Sequence, residues 1–310
     1  MTIQQLEYVL AIADTGSFVE AAGRCFVTQP TLSMQVKKLE DDLEIKLFDR
    51  NTHPVELTEM GRDFVVRARR IVQESRALRE FVREGKEELS GSLNIAVIPT
   101  LSPYLLPLFA GKFLRSNPKI ELTITEYTTS EIVQRLRTGQ LDAGILATPL
   151  QESGIIERPV FYEEFVAYVS KDHPLRKKNV LQANDIDAEE MWVLQEGHCF
   201  RNQVLNFCKV KGSGQYSRLH YESGSILALK RMVDAENGLT LLPELAVRDF
   251  GKREMDQVRY FKSPAPVREI SLITSRFPVK ERLLDVLEKS IIEAVPVKMH
   301  KKGKSKKIDI

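Results

Sequence analysis

Apolar residues recur at helical spacing through the first sixty positions. Leu6, Val9, Leu10 and Ala13 fall on one face of a first helix, and the chain then turns at Thr15-Gly16. Ser17-Phe18-Val19-Glu20 has the form of a capping box, in which the serine accepts from the third amide and the glutamate reaches back. A short helix follows through Ala21 and Ala22 to about Cys25, with small alanines that let another helix approach. Thr28-Gln29-Pro30 opens a third helix: a capping hydroxyl, then a proline in the first turn, where no amide donor is needed. Its pattern buries Leu32, Val36, Leu39 and Leu43 and leaves Thr31, Ser33, Gln35, Lys37 and Lys38 outside. Three short helices with a tight turn between the second and third fit a helix-turn-helix. Gln, Thr and Ser on the third helix suit base edges, and Lys suits phosphates. A plain helical bundle with a polar face has the same periodicity, so the pattern alone leaves both open.

From Thr58 to Ser90 no proline interrupts. Phe64, Ala68, Ile71, Ser75, Leu78 and Val82 recur at spacings that average about 3.5 residues, the seam of a coiled coil. A helix of about 30 residues spans roughly 45 Å. Flanked by Arg67, Arg69, Arg70, Arg76, Arg79 and Arg83, it reads as a dimerisation linker rather than a helix docked on its own domain, and Ser90-Gly91-Ser92 ends it.

Beyond it, strand and helix patterns alternate. Leu93 to Ile98 predicts a strand, a helix begins at Pro103, and Ile120 to Tyr127 is a second strand. A helix from about Ser130 to Thr138 and a strand from Leu141 to Ala147 follow. Further strands are expected at Phe165 to Ser170, Met191 to Gln195, Gly238 to Leu242 and Ile270 to Thr274. This alternation implies an α/β domain with a mainly parallel sheet, whose ligands sit beyond the carboxyl ends of the strands. Those ends carry Thr100, Thr128-Thr129 and Thr148, which serve equally well as helix caps.

Composition narrows the class. With 310 residues, two domains are expected. No run of about 18 apolar residues suggests a membrane span, and the first residues lack a signal-peptide pattern, so the cytoplasm is the expected compartment. The net charge of +2 does not argue for nucleic acid. Residues 1–60 hold five Lys/Arg against ten Asp/Glu, so a DNA-binding reading must rest on motif and placement. The basic run from Lys298 to Lys307, poor in apolar residues, is expected to be a disordered tail.

Two of the three cysteines, Cys199 and Cys208, lie close together in sequence. The apolar face of Val204, Leu205, Phe207 and Cys208 predicts a short helix over 201–208. Cys199 stands at its N-terminus, where the helix dipole, His198 and Arg201 would favour a thiolate. Nine helical residues put the two Cα atoms about 13 Å apart, and a disulfide needs about 7 Å or less. A bond between them therefore requires the segment to unwind or fold back. Two other readings stay open on the residues alone. Both could be small core hydrophobes, or His198, Cys199 and Cys208 could bind a metal, although no fourth ligand is evident. Cys25 reads as packing.

Several of these segments carry a family resemblance. Phe18-x-x-Ala21-Ala22, Thr28-Gln29-Pro30-Thr31-Leu32-Ser33, Lys38-Leu39-Glu40, Leu47-Phe48-x-Arg50 and Leu57-Thr58-x-x-Gly61 resemble the N-terminal domain of LysR-type transcriptional regulators. Two positions depart from the pattern: Glu44 replaces the usual glycine after the third helix, and His53-Pro54 replaces a basic pair in the wing. Gly197-His198-Cys199-x-Arg201-x-Gln203 with Cys208, Ile98-Pro99-Thr100 and Gly238-Leu239-Thr240-Leu241-Leu242-Pro243 resemble the peroxide-responsive members of that family. Asn202 stands where they often carry an acid.

The resemblance implies an α+β multidomain chain. Residues 1–58 form a winged helix-turn-helix, 59–89 a linker and dimerisation helix, and 90–297 a two-lobed, periplasmic-binding-protein-like α/β effector domain, with the basic tail at 298–310. It implies Thr28, Gln29, Pro30, Thr31, Ser33, Gln35, Lys38 and Arg50 as DNA contacts. Cys199 would react with peroxide and Cys208 resolve it, with Thr100, Thr129, His198 and Arg268 around the peroxide. The implied partners are a double-stranded operator, further copies of the chain in a homodimer and homotetramer, hydrogen peroxide as signal and a cellular thiol reductant. RNA polymerase is a candidate partner, and no cofactor, metal or membrane is expected. The chain reads as an activator of oxidative-stress genes rather than an enzyme. The alternatives are a LysR-type regulator of a small metabolite and, more remotely, a thiol peroxidase.

The third helix yields a test. Gln29→Ala or Thr31→Ala is expected to cost about 1–3 kcal/mol of preference for the cognate site where a base contact is lost. Lys38→Ala is expected to weaken binding to all sequences and flatten its salt dependence. Equal losses for Gln29→Ala on specific and random duplexes, measured by fluorescence anisotropy, would contradict a base-reading role.

Overall fold

The computed structural model describes residues 1–50, 52–84, 89–187, 191–208, 223–276, 278–302 and 305–308. They divide into two compact units, Met1–Glu88 and Leu89–Ile310.

In the first unit, helix α1 (Ile3–Thr15) is closed by a full capping box between Thr2 and Gln5 and ends at Gly16 with φ 63°. Helix α2 (Phe18–Arg24) begins where Ser17 accepts from the Glu20 amide. The other half of the expected box is replaced, because the Ser17 N–H donates to Thr15 Oγ1 at 3.2 Å. Helix α3 (Gln29–Asp42) buries Leu32, Val36 and Leu39. Leu43, expected inside, is its C-cap and is partly exposed, since the helix ends before that position faces the core. The next residue, Glu44, sits at φ 53°, a left-handed conformation that a glycine would take without strain.

Glu40 then fixes the wing. Its buried carboxylate accepts from Leu47 N at 2.7 Å and pairs with Arg50 at 3.0 Å. Strands β1 (Phe48–Asp49) and β2 (Glu56–Leu57) pair antiparallel. Helix α4 (Glu59–Glu84) follows, and Gly61 is required near its start, because a Cβ there would lie 2.1 Å from Leu47 O. Its residues Val65, Ala68 and Val72 pack into the core of this unit, so the early part of the expected seam is docked on its own domain. Ile71 and Leu78, seven positions apart, remain exposed. The Val82 side chain and residues 85–88 lie outside the described residues.

The second unit contains β3 (Gly91–Val97), α5 (Ser102–Ser116), β4 (Ile120–Glu126), α6 (Thr129–Arg137), β5 (Ala143–Thr148), β6 (Ile155–Val169) and β7 (Val180–Leu181). Then come α7 (Cys199–Cys208), α8 (Ile226–Ala235), β8 (Leu239–Pro243), α9 (Lys252–Met255), β9 (Val258–Phe261), β10 (Pro266–Ser275), α10 (Glu281–Ala294) and β11 (Lys306–Lys307). The strand order is β4-β3-β5-β10-β6-β9-β7, with β8 also on β6 and β11 on β10.

The sheet is mixed rather than mainly parallel. β3 runs parallel to β4 and β5, but β10 runs antiparallel to both β5 and β6. The long strand β6 pairs with β10 through its first part and with β8 and β9 through its last. It thereby joins two lobes with separate cores. One core is built on β3, β5, α5 and α10, and the other on β8, α8 and the end of β6. Met191 to Gln195, expected as a strand, makes only a single bridge, Met191 to Leu239.

The expected disordered tail is a further correction. Val297–His300 forms a 3-10 turn with Met299 buried. β11 lies parallel to β10, pairing Lys306 with Pro266 and Lys307 with Val267, and Ile308 is buried beside the second core. The start of β10 runs on past the end of β5 and there offers backbone partners, and Met299 and Ile308 supply apolar anchors among the lysines. Lys298 pairs with Glu244 and Lys307 with Glu269.

The strained turn gives a stability test. Glu44→Gly removes a left-handed penalty of about 1–2 kcal/mol and restores chain entropy of about 0.4–1 kcal/mol to the unfolded state. A net gain approaching about 1 kcal/mol is expected in urea unfolding followed by a probe in the first unit. A loss of stability would show that the Glu44 side chain contributes more than its backbone costs.

Candidate functional site

The segment before α7 is shaped by backbone geometry. Gly197 sits at φ 90°, and the Arg201 N–H closes the first turn onto His198 O at 2.9 Å. Arg201 does not serve the thiol, since its guanidinium donates to Leu194 O at 2.6 Å. The helix runs from Cys199 to Cys208, two residues longer at its start than the 201–208 expected.

Cys199 has divided membership. Its helix neighbours Phe200 and Val204 pack in the second core, with Phe200 edge-on to Phe165 at 5.2 Å between centroids. The Cys199 side chain is buried and packs in the first core. Burial raises its thiol pKa above the usual 9.0. The Thr129 hydroxyl, the Arg268 charge and the N–H groups of Phe200 and Ala147 pull the other way without overcoming it. The expected helix-start thiolate is therefore not the resting state, because desolvation outweighs the dipole.

Arg268, from β10, explains part of this balance. It is fully buried and faces Glu163 across the β10–β6 ladder. Its Nε and Nη2 lie 2.9 and 2.8 Å from Glu163 Oε2, and Leu245 N donates to Glu163 Oε1 at 2.8 Å. Nη1 donates to Thr100 Oγ1 at 3.1 Å and Nη2 to Thr100 O at 3.2 Å. The guanidinium also lies 5.0 Å from the Phe200 ring centroid. Its charge is thus largely compensated before it reaches the sulfur. Glu163 escaped sequence reasoning. The available signal was a pair of carboxylates, Glu163-Glu164, inside an otherwise apolar strand.

A cavity of about 640 Å³ opens beside the thiol, lined by Thr129, His198, Cys199 and Asn202 among others. Thr129 Oγ1 is buried beside the Cys199 thiol and has no nitrogen or oxygen partner. Burial lowers the His198 pKa, so the ring is neutral near pH 7. Gly224 permits its position, because a Cβ there would lie 2.9 Å from His198 Nε2.

The threonines at strand ends now separate by role. Thr128 stands at the start of α6 and donates from both its N–H and its hydroxyl to Glu131 Oε2, and Thr148 bonds Glu269 and Ser271. Thr129 lines the cavity beside the thiol, whereas Thr100 is held by Arg268 and does not line it.

Cys208 stands at the far end of α7, about 13 Å along the helix from Cys199. It packs against the second core, and burial pushes its pKa up to about 12. All three cysteines are free thiols. Among the described residues no group of three His, Cys, Asp or Glu side chains stands close enough to hold a metal.

In the first unit, Thr28, Gln29, Pro30, Thr31 and Lys38 are exposed along α3. Thr28 Oγ1 bonds Thr31 Oγ1 at 2.8 Å and does not cap the helix. Ser33 and Gln35 are half-buried, and Gln35 accepts from Gln5 Nε2 at 3.3 Å. Arg50 is held by Glu40 and lies 4.9 Å from the Phe18 ring centroid. No helix among the described residues is long and apolar enough to cross a membrane.

Comparison with known proteins agrees with both units. Residues 3–62 match the bacterial regulatory helix-turn-helix proteins of the lysR family, and residues 86–289 match the LysR substrate binding domain. The chain is 38% identical over 275 residues to the hydrogen peroxide-inducible genes activator of Haemophilus influenzae, covering 88% of this chain and 90% of that protein. The structure is similar to full-length OxyR of Pseudomonas aeruginosa, with a TM-score of 0.81, 34% identity, and coverage of 95% of this chain and 99% of that one. OxyR of Porphyromonas gingivalis matches at a TM-score of 0.66 and 34% identity, over 71% of this chain and all of that one. A DNA-reading helix-turn-helix followed by a two-lobed effector domain, each matched to the same lineage, makes this chain a member of the LysR family of transcriptional regulators.

Proposed function

We propose that this regulator is a cytoplasmic transcription activator that senses hydrogen peroxide through Cys199 and is switched by a Cys199–Cys208 disulfide. One observation carries the reading: the Cys199 sulfur is seated in one lobe while its helix belongs to the other. Moving that sulfur toward Cys208 must withdraw it from the first core and unwind α7, so its oxidation state and the packing between lobes are linked. The relatives' names support the signal, and the buried Thr129 hydroxyl beside the thiol supports a small polar oxidant.

The chemistry closes on two sulfurs and one peroxide. The Cys199 thiol gives up its proton, and its sulfur attacks one peroxide oxygen. The O–O bond breaks, the departing hydroxide leaves as water, and a sulfenic acid remains. Thr129 and His198 border the space in which the peroxide would lie. Arg268, holding Thr100, adds positive potential where negative charge develops. The Cys208 sulfur, deprotonated, then attacks the sulfenic sulfur and expels its hydroxyl as water, forming the disulfide. A cellular thiol reductant returns both cysteines to thiols.

The readout is DNA binding by Thr28, Gln29, Pro30, Thr31, Ser33, Gln35 and Lys38. Arg50 acts mainly to hold the wing. Exposed Ile71 and Leu78 on α4 support a homodimer, and a homotetramer follows if effector domains pair as well. Changed pairing would alter the spacing of half-sites read on the operator and present the complex to RNA polymerase. The size of the cavity, about 640 Å³, also favours a second reading in which a small metabolite binds between the lobes. A peroxide response by purified protein with no added metabolite decides for the first.

Cys199→Ser is expected to abolish the peroxide response and leave DNA binding by the reduced form intact. Cys208→Ser should still form sulfenic acid at Cys199, trapped by a dimedone-type reagent, but give a weaker and shorter-lived activation. Peroxide should change proteolysis of the segment after α7 in the wild type and change it little in Cys208→Ser. A normal switch in Cys199→Ser, or identical digestion of reduced and oxidised wild type, would sink the mechanism.

The raised Cys199 pKa fixes a pH dependence. The group is an acid whose neutral form is favoured by folding, so its thiolate fraction grows as pH rises and does not saturate below the usual 9.0. Stopped-flow oxidation rates should therefore climb steadily from pH 7 to pH 9. A plateau near pH 7 would mean that the sulfur is already ionised in the reduced protein. Thr100→Val should slow the same reaction while the domain stays folded, and an unchanged rate would reduce Thr100 to a partner of Arg268.

A further inference from the structure

The C-terminal strand makes contacts that the function proposed above does not use. Ile308 is buried beside the second core. Its N–H donates to Val267 O at 2.9 Å, and its carbonyl accepts from Gln203 Nε2 at 3.2 Å. Gln203 lies in the middle of α7 and is fully buried, and its Oε1 has no hydrogen-bond partner. The bond to Ile308 is thus what satisfies one end of a buried amide. On the other side, Lys307 Nζ pairs with Glu269 at 2.6 Å, and the β11 pairing engages Pro266 and Val267. Val267 and Glu269 flank Arg268. Two residues of the tail therefore grip β10 on both sides of the arginine beside the thiol, and a third grips the helix that joins the two cysteines.

We propose that residues 306–308 form a latch that holds α7 in its helical, reduced arrangement and so sets how readily the Cys199–Cys208 disulfide forms. This inference rests on the peroxide-switch reading. Disulfide formation must unwind α7, and unwinding carries Gln203 away from the Ile308 carbonyl. The latch then loses its buried contact and the strand lifts from β10. By reciprocity, removing the latch removes a contact present only in the reduced state and moves the balance toward the disulfide.

Three proteins test this: the wild type, the chain ended after Lys302, and Gln203→Leu, which keeps the apolar volume and loses the bond. Each is equilibrated in glutathione buffers. Glutathione disulfide takes two electrons and two protons from the cysteine pair, giving two molecules of glutathione and the protein disulfide. Truncation is expected to raise the disulfide-to-dithiol ratio about three- to tenfold at a fixed buffer, the effect of one lost buried hydrogen bond with some apolar contact. Gln203→Leu should shift it the same way, and the combined variant should shift it by less than the product of the two. In oxidised wild type, trypsin should also cut at Lys306 and Lys307 faster than in the reduced form.

Hydrogen exchange supplies a readout that needs no redox chemistry. In the reduced state, truncation and Gln203→Leu should each speed exchange of the α7 amides, while α5 and α10 keep wild-type rates and so report a folded first lobe. Unchanged α7 exchange overturns the latch whether or not a disulfide ever forms. Equal disulfide ratios in all three proteins, or multiplicative effects in the combined variant, overturn it as well. If no protein forms the Cys199–Cys208 disulfide, the peroxide-switch reading fails, and so does the latch's role in setting it.

Discussion

The buried pair Arg268–Glu163 organises the effector domain. Two ionisable groups lie out of water on neighbouring strands, at the point where β6 passes from one lobe to the other, and burial raises the Glu163 pKa against the pull of Arg268. Such a pair holds only when every polar atom finds a partner, because an uncompensated buried charge costs several kcal/mol. Here the partners come from distant parts of the chain: Thr100 after β3, Leu245 after β8, and the Phe200 ring at the start of α7. Satisfying the pair thus ties three distant segments to Arg268, whose charge reaches the Cys199 sulfur. The same compensation explains why a thiol beside an arginine keeps its proton. The arginine's field is spent largely on Glu163, and desolvation decides the rest.

A resting thiol that is protonated and packed in a core is stable as well as quiet. Its raised pKa means that the folded state gains from the neutral form at all pH values below the usual 9.0, and loses that gain only as pH rises through the folded value. Cys208 behaves in the same way with its pKa near 12. On the proposed switch, the cost would lie in dismantling α7, which is packed on the second core through Phe200, Val204 and Phe207.

Much of this was legible in the sequence, for reasons that differ by element. The helix-turn-helix was readable because local signals coincide: Gly16 ends α1, Pro30 starts α3, and Leu32, Val36 and Leu39 keep helical period. Glu44 was marked as out of place from the sequence, and its φ of 53° bears that out. The features that escaped are non-local. Sheet direction depends on β10 returning between β5 and β6, which no local pattern encodes. Glu163 gained its meaning only from a strand about a hundred residues later. The tail read as disordered because its lysines dominate the composition, yet Met299 and Ile308 suffice to seat it on an edge that other segments create. Leu43 shows the reverse, an apolar residue in phase with the core but one position past the end of its helix. In the linker helix, Val65, Ala68 and Val72 turn toward the domain that precedes them, a stripe the expected seam did not contain apart from Ala68.

The bond between Glu40 and Arg50 has a kinetic consequence. Arg50 is the only arginine in the wing segment from Phe48 to Thr58, and a buried carboxylate neutralises it there. The domain around it already carries twice as many acids as bases in its first sixty residues. Weak long-range attraction to phosphate follows, with short residence on arbitrary duplex and little one-dimensional diffusion along it. For a domain so charged, encounters from solution contribute more to finding a site than sliding along the duplex.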